Sequence, residues 1–144
     1  MKVQQILRIR RQAWTAMLQH CVDQKPKEAC GFLFGNEEAI ELFVPISNIH
    51  MQPERHYMMD PAQMIQALFA GHYGNQKPAG IVHSHPRTPP IPSAEDMSIS
   101  WRGGAYHWIV SLSDPQAPQV KAYEYVPQEY GPCSYTSHPI DILE

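Results

Sequence analysis

Pro78-Ala79-Gly80-Ile81-Val82-His83-Ser84-His85-Pro86-Arg87-Thr88-Pro89-Pro90-Ile91-Pro92-Ser93-Ala94-Glu95-Asp96 is the stretch from which the rest of the chain can be read. Its opening residues, through Val82, are short and apolar and follow a Gly/Asn/Gln/Lys turn, the pattern of a buried strand. Residues i and i+2 of a strand share a face, so His83 and His85 point the same way, close enough to share one cation. Four prolines within residues 86–92 form a stiff, extended exit that neither continues the strand nor starts a helix. Ser93 then stands where a helix N-cap belongs, with Asp96 in the first turn. Two neutral imidazoles and a carboxylate are the ligand set of an open catalytic zinc site.

Each half of this pattern also has an ordinary reading. Histidines are commonly packed or solvated, and the chain has 8 of them. Ser93-x-x-Asp96 alone is a helix cap with a favourable first-turn acid. The two halves in this order, on strand, loop and helix start, point to a metal centre.

Working outward, Arg11 to Gln24 carries Trp14, Met17, Leu18, Cys21 and Val22 at helical spacing, a core-facing stripe ended by Pro26. Gln4 to Ile9 alternates weakly as a first strand. Glu28 to Phe34 reads as a strand with Glu28, Cys30, Phe32 and Phe34 on one face. Gly31 and Gly35 lie on the other, where they admit a close neighbour. Asn36-Glu37-Glu38 turns into a returning strand, Ala39 to Pro45. Ser47 to Glu54 is loop, and Arg55 to Met59 a short strand. Asp60-Pro61 starts a second helix with the stripe Met64, Ile65, Leu68 and Phe69, ending near Gly71. After Asp96 the helix is expected to run to about Ser100 and break at Arg102-Gly103-Gly104. Tyr106 to Leu112 is an apolar, central strand and Gln119 to Val126 the last. Residues 127–144 are polar, punctuated by prolines, and read as a loosely packed tail.

Strands and helices mixed without strict alternation make this an α/β domain, with one mixed sheet flanked by helices. A chain of 144 residues suits a single domain. A hydrophobic fraction of 43% and a charged fraction of 17% are those of a soluble globular protein. The net charge of −3 gives no support for a nucleic-acid partner. No apolar run reaches membrane-spanning length and Met1 to Gln5 opens no signal peptide, so no membrane association and a cytoplasmic location are expected. The 3 cysteines form no C-x-x-C pair. Cys21 and Cys30 read as core, Cys30 with the option of lining a cleft. His107 reads as a core residue, and His20, His50, His56, His72 and His138 have no ligand spacing.

His83-x-His85, seven residues, Ser93, two residues, Asp96 resembles the signature of the JAMM (MPN-plus) metalloproteases. That family has a glutamate upstream, and Glu28 in Glu28-Ala29-Cys30-Gly31-Phe32-Leu33-Phe34-Gly35 fits its place. The resemblance spans roughly residues 5–126, with the metalloprotease domain expected over 1–126 and the tail over 127–144. It implies a deaminase-like α/β fold and one zinc per chain held by His83, His85 and Asp96. Glu28 would be the general base toward a metal-activated water, and Ser93 a donor to the oxyanion. It implies hydrolysis of the amide after the C-terminal Gly-Gly of a ubiquitin-like or sulfur-carrier β-grasp protein. Only about ten residues separate Asp96 from the strand at Tyr106, too few for the insertions of linkage-selective deubiquitinases. The compact carrier-processing members, some of which remove an added C-terminal cysteine, are the better match. The segment Glu28 to Gly35 is expected to offer a strand edge to an extended Gly-Gly tail. The alternative is a non-catalytic, zinc-binding MPN interaction module. A nucleobase deaminase is excluded, since H-x-E and P-C-x-x-C are both missing.

Overall fold

Lys77–His85 forms a strand (β4) whose last six residues are buried. Its apolar run follows from its place. It is flanked by Cys30–Gly35 (β2, antiparallel) and Tyr106–Ser111 (β5, parallel), and helices cover both faces. The computed structural model describes residues 3–98, 105–130 and 133–144. The other described elements are β1 (Leu7–Arg10), α1 (Arg11–Gln24), β3 (Ile40–Ile46), α2 (Pro61–Tyr73), α3 (Ala94–Met97), β6 (Gln119–Val126), β7 (Ser134–His138) and β8 (Ile140–Leu143). The strands form one mixed sheet in the order β7-β6-β5-β4-β2-β3-β1-β8. The α/β fold read from the sequence is the one observed.

The two edge strands are consecutive in the chain, with Pro139 alone between them. Laid flat, seven inter-strand gaps of about 4.8 Å would part the edges by roughly 34 Å. One residue reaches only about 3.5 Å. The sheet therefore curls until its edges approach. The junction is closed by the Leu7 N–H on the Pro139 carbonyl (2.9 Å) and the Gln5 N–H on His138 Nδ1 (2.9 Å). Helix α1 lies in the hollow: Ala13, Met17 and Cys21 join Ile9, Leu33, Phe43, Val82, Trp108, Val110 and Ala122 in one core. Helix α2 covers the opposite face over Cys30, Phe32, Phe34 and Ile81.

Several expectations change here. Residues 134–143 are not loose: β7 pairs with β6, and β8 pairs in parallel with β1. Their alternating polarity is that of half-exposed edge strands. Arg55 to Met59 forms no strand beyond a single bridge between Asn48 and Met59. Helix α2 extends to Tyr73 and rests on its small residues, Ala67 and Gly71, leaving Ile65 and Phe69 56% and 59% exposed. Close approach decides that face, since a Cβ at Gly71 would lie 2.7 Å from the Phe34 ring. Val22 of α1 is likewise exposed. β2 is paired on both sides, by β3 and β4, so it offers no free edge to a substrate tail. Helix α3 ends at Met97, short of the expected Ser100, and the break expected at Arg102-Gly103-Gly104 lies outside the described residues.

Gly31 is used as expected, and its neighbour is β3. A Cβ there would meet the Val44 carbonyl oxygen at 2.6 Å and the Phe43 ring at 2.7 Å. A backbone oxygen within a paired strand cannot step aside, so Gly31→Ala is expected to destabilise the fold by about 1–3 kcal/mol, read as a lower urea midpoint.

Among the described residues no helix is long and apolar enough to cross a membrane.

Candidate metal centre

The centre is assembled from local geometry. Strand alternation puts His83 and His85 on the α2 side of the sheet, at the end of β4, with their Nε2 atoms 3.1 Å apart. Ser93 caps α3 through a complete capping box: its Oγ accepts from the Asp96 N–H (3.0 Å), and Asp96 Oδ2 accepts from the Ser93 N–H (2.9 Å). That box swings the Asp96 carboxylate onto the histidines, Oδ1 at 3.2 Å from His83 Nε2 and Oδ2 at 3.1 Å from His85 Nε2. The N3 acid of the capping box, Asp96, is thus also the candidate metal ligand.

The His85 tautomer follows from its other nitrogen. Nδ1 lies 2.8 Å from the Pro89 carbonyl, which only accepts, so Nδ1 carries the proton and Nε2 turns a lone pair inward. The contact that orients His85 therefore comes from Pro89, while Pro86 lines the cleft. His83 is buried beneath the Tyr57 ring, stacked at 4.7 Å, and its Nδ1 has no partner among the described residues.

Lone pairs and a carboxylate thus converge with ligand atoms within 4.8 Å of one another, an arrangement that calls for positive charge. Burial works against a protonated His85, but the Asp96 carboxylate and the Pro89 carbonyl outweigh it and raise its pKa. Burial would likewise raise Asp96, yet its contacts with His83 and His85 hold it well below the usual carboxylate range. A divalent cation satisfies the same donors, so the residues fit a metal.

The register Cys30 opposite His83, continued by the Ser84 N–H on the Ala29 carbonyl (3.0 Å), sets Glu28 across from His85. β2 itself begins at Cys30, two residues later than Glu28. Glu28 and Ser93 line the same cleft of about 360 Å³ as His85 and Asp96. Burial is the main reason the Glu28 carboxyl is pushed up to about 7, with Asp96 and Glu95 adding to it and His85 and His56 opposing. Ser93 commits only a lone pair to the cap, so its O–H proton stays available to the exposed side. Ser84 faces away and is buried, its Oγ accepting from the Ala29 N–H at 2.8 Å. Cys30 is buried with its thiol on the Ile46 carbonyl and does not line the cleft. His107 is buried and stacked on Tyr125.

The sequence reading missed the loop that walls this cleft. Arg55, His56 and Tyr57 line it, and His56 Nδ1 reaches Glu95 of α3 at 2.7 Å, bridging the two sides. Asn48 holds the loop in shape. Its Nδ2 donates to the carbonyls of Glu28 (2.9 Å) and His56 (2.9 Å), and its Oδ1 accepts from the N–H groups of Met58 and His50. An asparagine inside a polar loop was the available signal, since a side-chain amide can replace missing strand partners. Asn48→Ala leaves those groups unpaired and is expected to cost about 1–3 kcal/mol, measured by urea unfolding.

Residues 10–125 match the family described as prokaryotic homologs of the JAB domain. The CysO-cysteine peptidase of Mycobacterium tuberculosis is 28% identical over 141 residues, covering 96% of this chain and 92% of that protein. The desampylase of Haloferax volcanii is 36% identical over 108 residues, covering 73% of this chain and 74% of its own length. Among solved structures, that of a protein from Desulfitobacterium hafniense superposes with a TM-score of 0.81 at 28% identity, covering 97% of this chain and 94% of that one.

Proposed function

Because the chain belongs to the prokaryotic JAB-domain family, we propose that it is a zinc metallo-isopeptidase of the JAMM type, cutting the amide bond after the C-terminal Gly-Gly of a ubiquitin-like or sulfur-carrier β-grasp protein. One observation carries this reading. Three ligand atoms converge within 4.8 Å, and a buried carboxylate, Glu28, lines the same cleft as two of the residues that supply them. The names of the two curated relatives, a CysO-cysteine peptidase and a desampylase, support the substrate class.

In this reading His83, His85 and Asp96 hold one zinc. The ion supplies Lewis acidity, which polarises a carbonyl and brings the pKa of water from about 15.7 toward about 7. Glu28 takes the proton of the attacking water and delivers it to the departing amine. A carboxyl raised toward neutrality by burial is suited to both halves of that transfer. The Ser93 hydroxyl donates to the oxyanion that develops on the scissile carbonyl. The Pro89 carbonyl and the α3 cap fix the ligands beforehand, so little reorganisation accompanies the reaction. A structural zinc is normally closed by a fourth protein ligand, and among the described residues the group has three members, which favours a hydrolase over a binding module. We place the enzyme in the cytoplasm, where carrier proteins are made, with neither nucleic acid nor membrane as partner.

The test is incubation of the zinc-loaded protein with β-grasp carriers of the same genome extended beyond Gly-Gly, read by mass spectrometry. A mass loss equal to the extension is expected. No loss on any carrier, with zinc bound, would favour the interaction module.

A further inference from the structure

Between His85 and α3 the chain is pinned at three consecutive carbonyls. Thr88 O accepts from Ser111 Oγ (2.6 Å), Pro89 O from His85 Nδ1 (2.8 Å), and Pro90 O from the Tyr123 hydroxyl. Pro86 and Pro90 are buried and add their own stiffness. Arg87 stands on this platform, exposed, and lines the cleft beside His85, Ser93 and Asp96. Its guanidinium has no ion-pair or hydrogen-bond partner among the described residues. The carboxylates on the rim do not neutralise it: Glu95 is taken by His56 at 2.7 Å, and Glu54 makes no ion pair with Arg87 or Arg55. An unpaired arginine on an anchored base, next to a reacting centre, is a fork waiting for a planar anion.

The two forms of substrate differ in whether they bring one. In an isopeptide the departing nitrogen is a lysine ε-amine, whose residue is embedded in a second chain and carries no free carboxylate. In a carrier extended by one residue the departing nitrogen is an α-amine, with a free α-carboxylate one carbon away. We infer that Arg87 binds the terminal carboxylate of a single residue attached after Gly-Gly, which makes one-residue C-terminal extensions the preferred substrates of this cleft. This rests on the hydrolase reading above. The reaction balances as hydrolysis: water adds its oxygen to the glycyl carbonyl carbon, the C–N bond breaks, and the nitrogen leaves with the added proton as a free amino acid. No other reactant is needed.

The test uses one carrier extended by a single residue, made with a C-terminal acid or a C-terminal amide. The zinc-loaded protein is expected to cut the acid with a kcat/KM about 10- to 100-fold higher, the range of a hydrogen-bonded charge pair. Arg87→Gln is expected to lower cleavage of the acid by about 10- to 100-fold and so abolish its advantage over the amide, and Arg87→Lys to recover part of that advantage. Calorimetric binding of the uncut forms to zinc-loaded Glu28→Gln protein is expected to show the same preference, lost when Arg87 is also changed. Equal binding and equal cleavage of acid and amide would overturn the inference and leave the hydrolase reading standing. Cleavage of neither, with the acid still bound more tightly, would overturn the hydrolase reading instead.

Discussion

Replacing Glu28 by glutamine is expected to leave one zinc bound per chain and to lower hydrolysis by about 10²- to 10⁴-fold, the range attributable to a positioned general base. Glutamine matches the volume of the buried side chain, so the fold is expected to persist. It retains a carbonyl oxygen but cannot accept and return a proton. The pH profile gives a second check. A base works deprotonated, so activity rises with pH through the Glu28 pKa and falls away below it. Burial sets that pKa at about 7 in the protein alone, and a bound dication pulls it down, so the acid limb belongs at or below about 7. Glu28→Gln protein as active as the parent would remove Glu28 from the chemistry.

Asp96→Ala has the other large effect, and it strikes metal and activity together. The carboxylate is the one anionic member of the ligand group and also the anchor of the α3 cap. Loss of an outer partner of a metal ligand costs roughly 10- to 100-fold in affinity; loss of the ligand itself is expected to cost more. Alanine also leaves the Ser93 N–H unpaired, so Asp96→Asn is the companion variant, keeping an acceptor for the cap while removing the charge. Both are expected to release zinc on dialysis, with activity falling in proportion, while Asp96→Asn stays folded by circular dichroism. An Asp96→Ala protein that retains zinc would contradict the ligand assignment.

What could be read from the sequence is what local rules determine. Strand alternation brought His83 and His85 to one face, and the capping rule placed Asp96 at a helix start; the structure adds that the cap is what aims the carboxylate. The bounds of α1 and the Asp60-Pro61 start of α2 are equally local. Glu28 was reachable only through the resemblance, because its register against His85 depends on pairing between segments more than fifty residues apart in sequence. The curl of the sheet was invisible for the same reason: β8 meets β1 across nearly the whole chain, and residues 134–143 look like a tail until both edges are in place. The wall formed by residues 47–59 escaped because side-chain bonds from Asn48, not backbone periodicity, give it shape.

The most direct measurement is anomalous diffraction at the zinc edge from crystals of the metal-loaded protein. One peak per chain is expected, bonded to His83, His85 and Asp96, with its remaining coordination position open toward Glu28. A peak elsewhere, or one closed by a fourth protein side chain, would contradict the proposed centre.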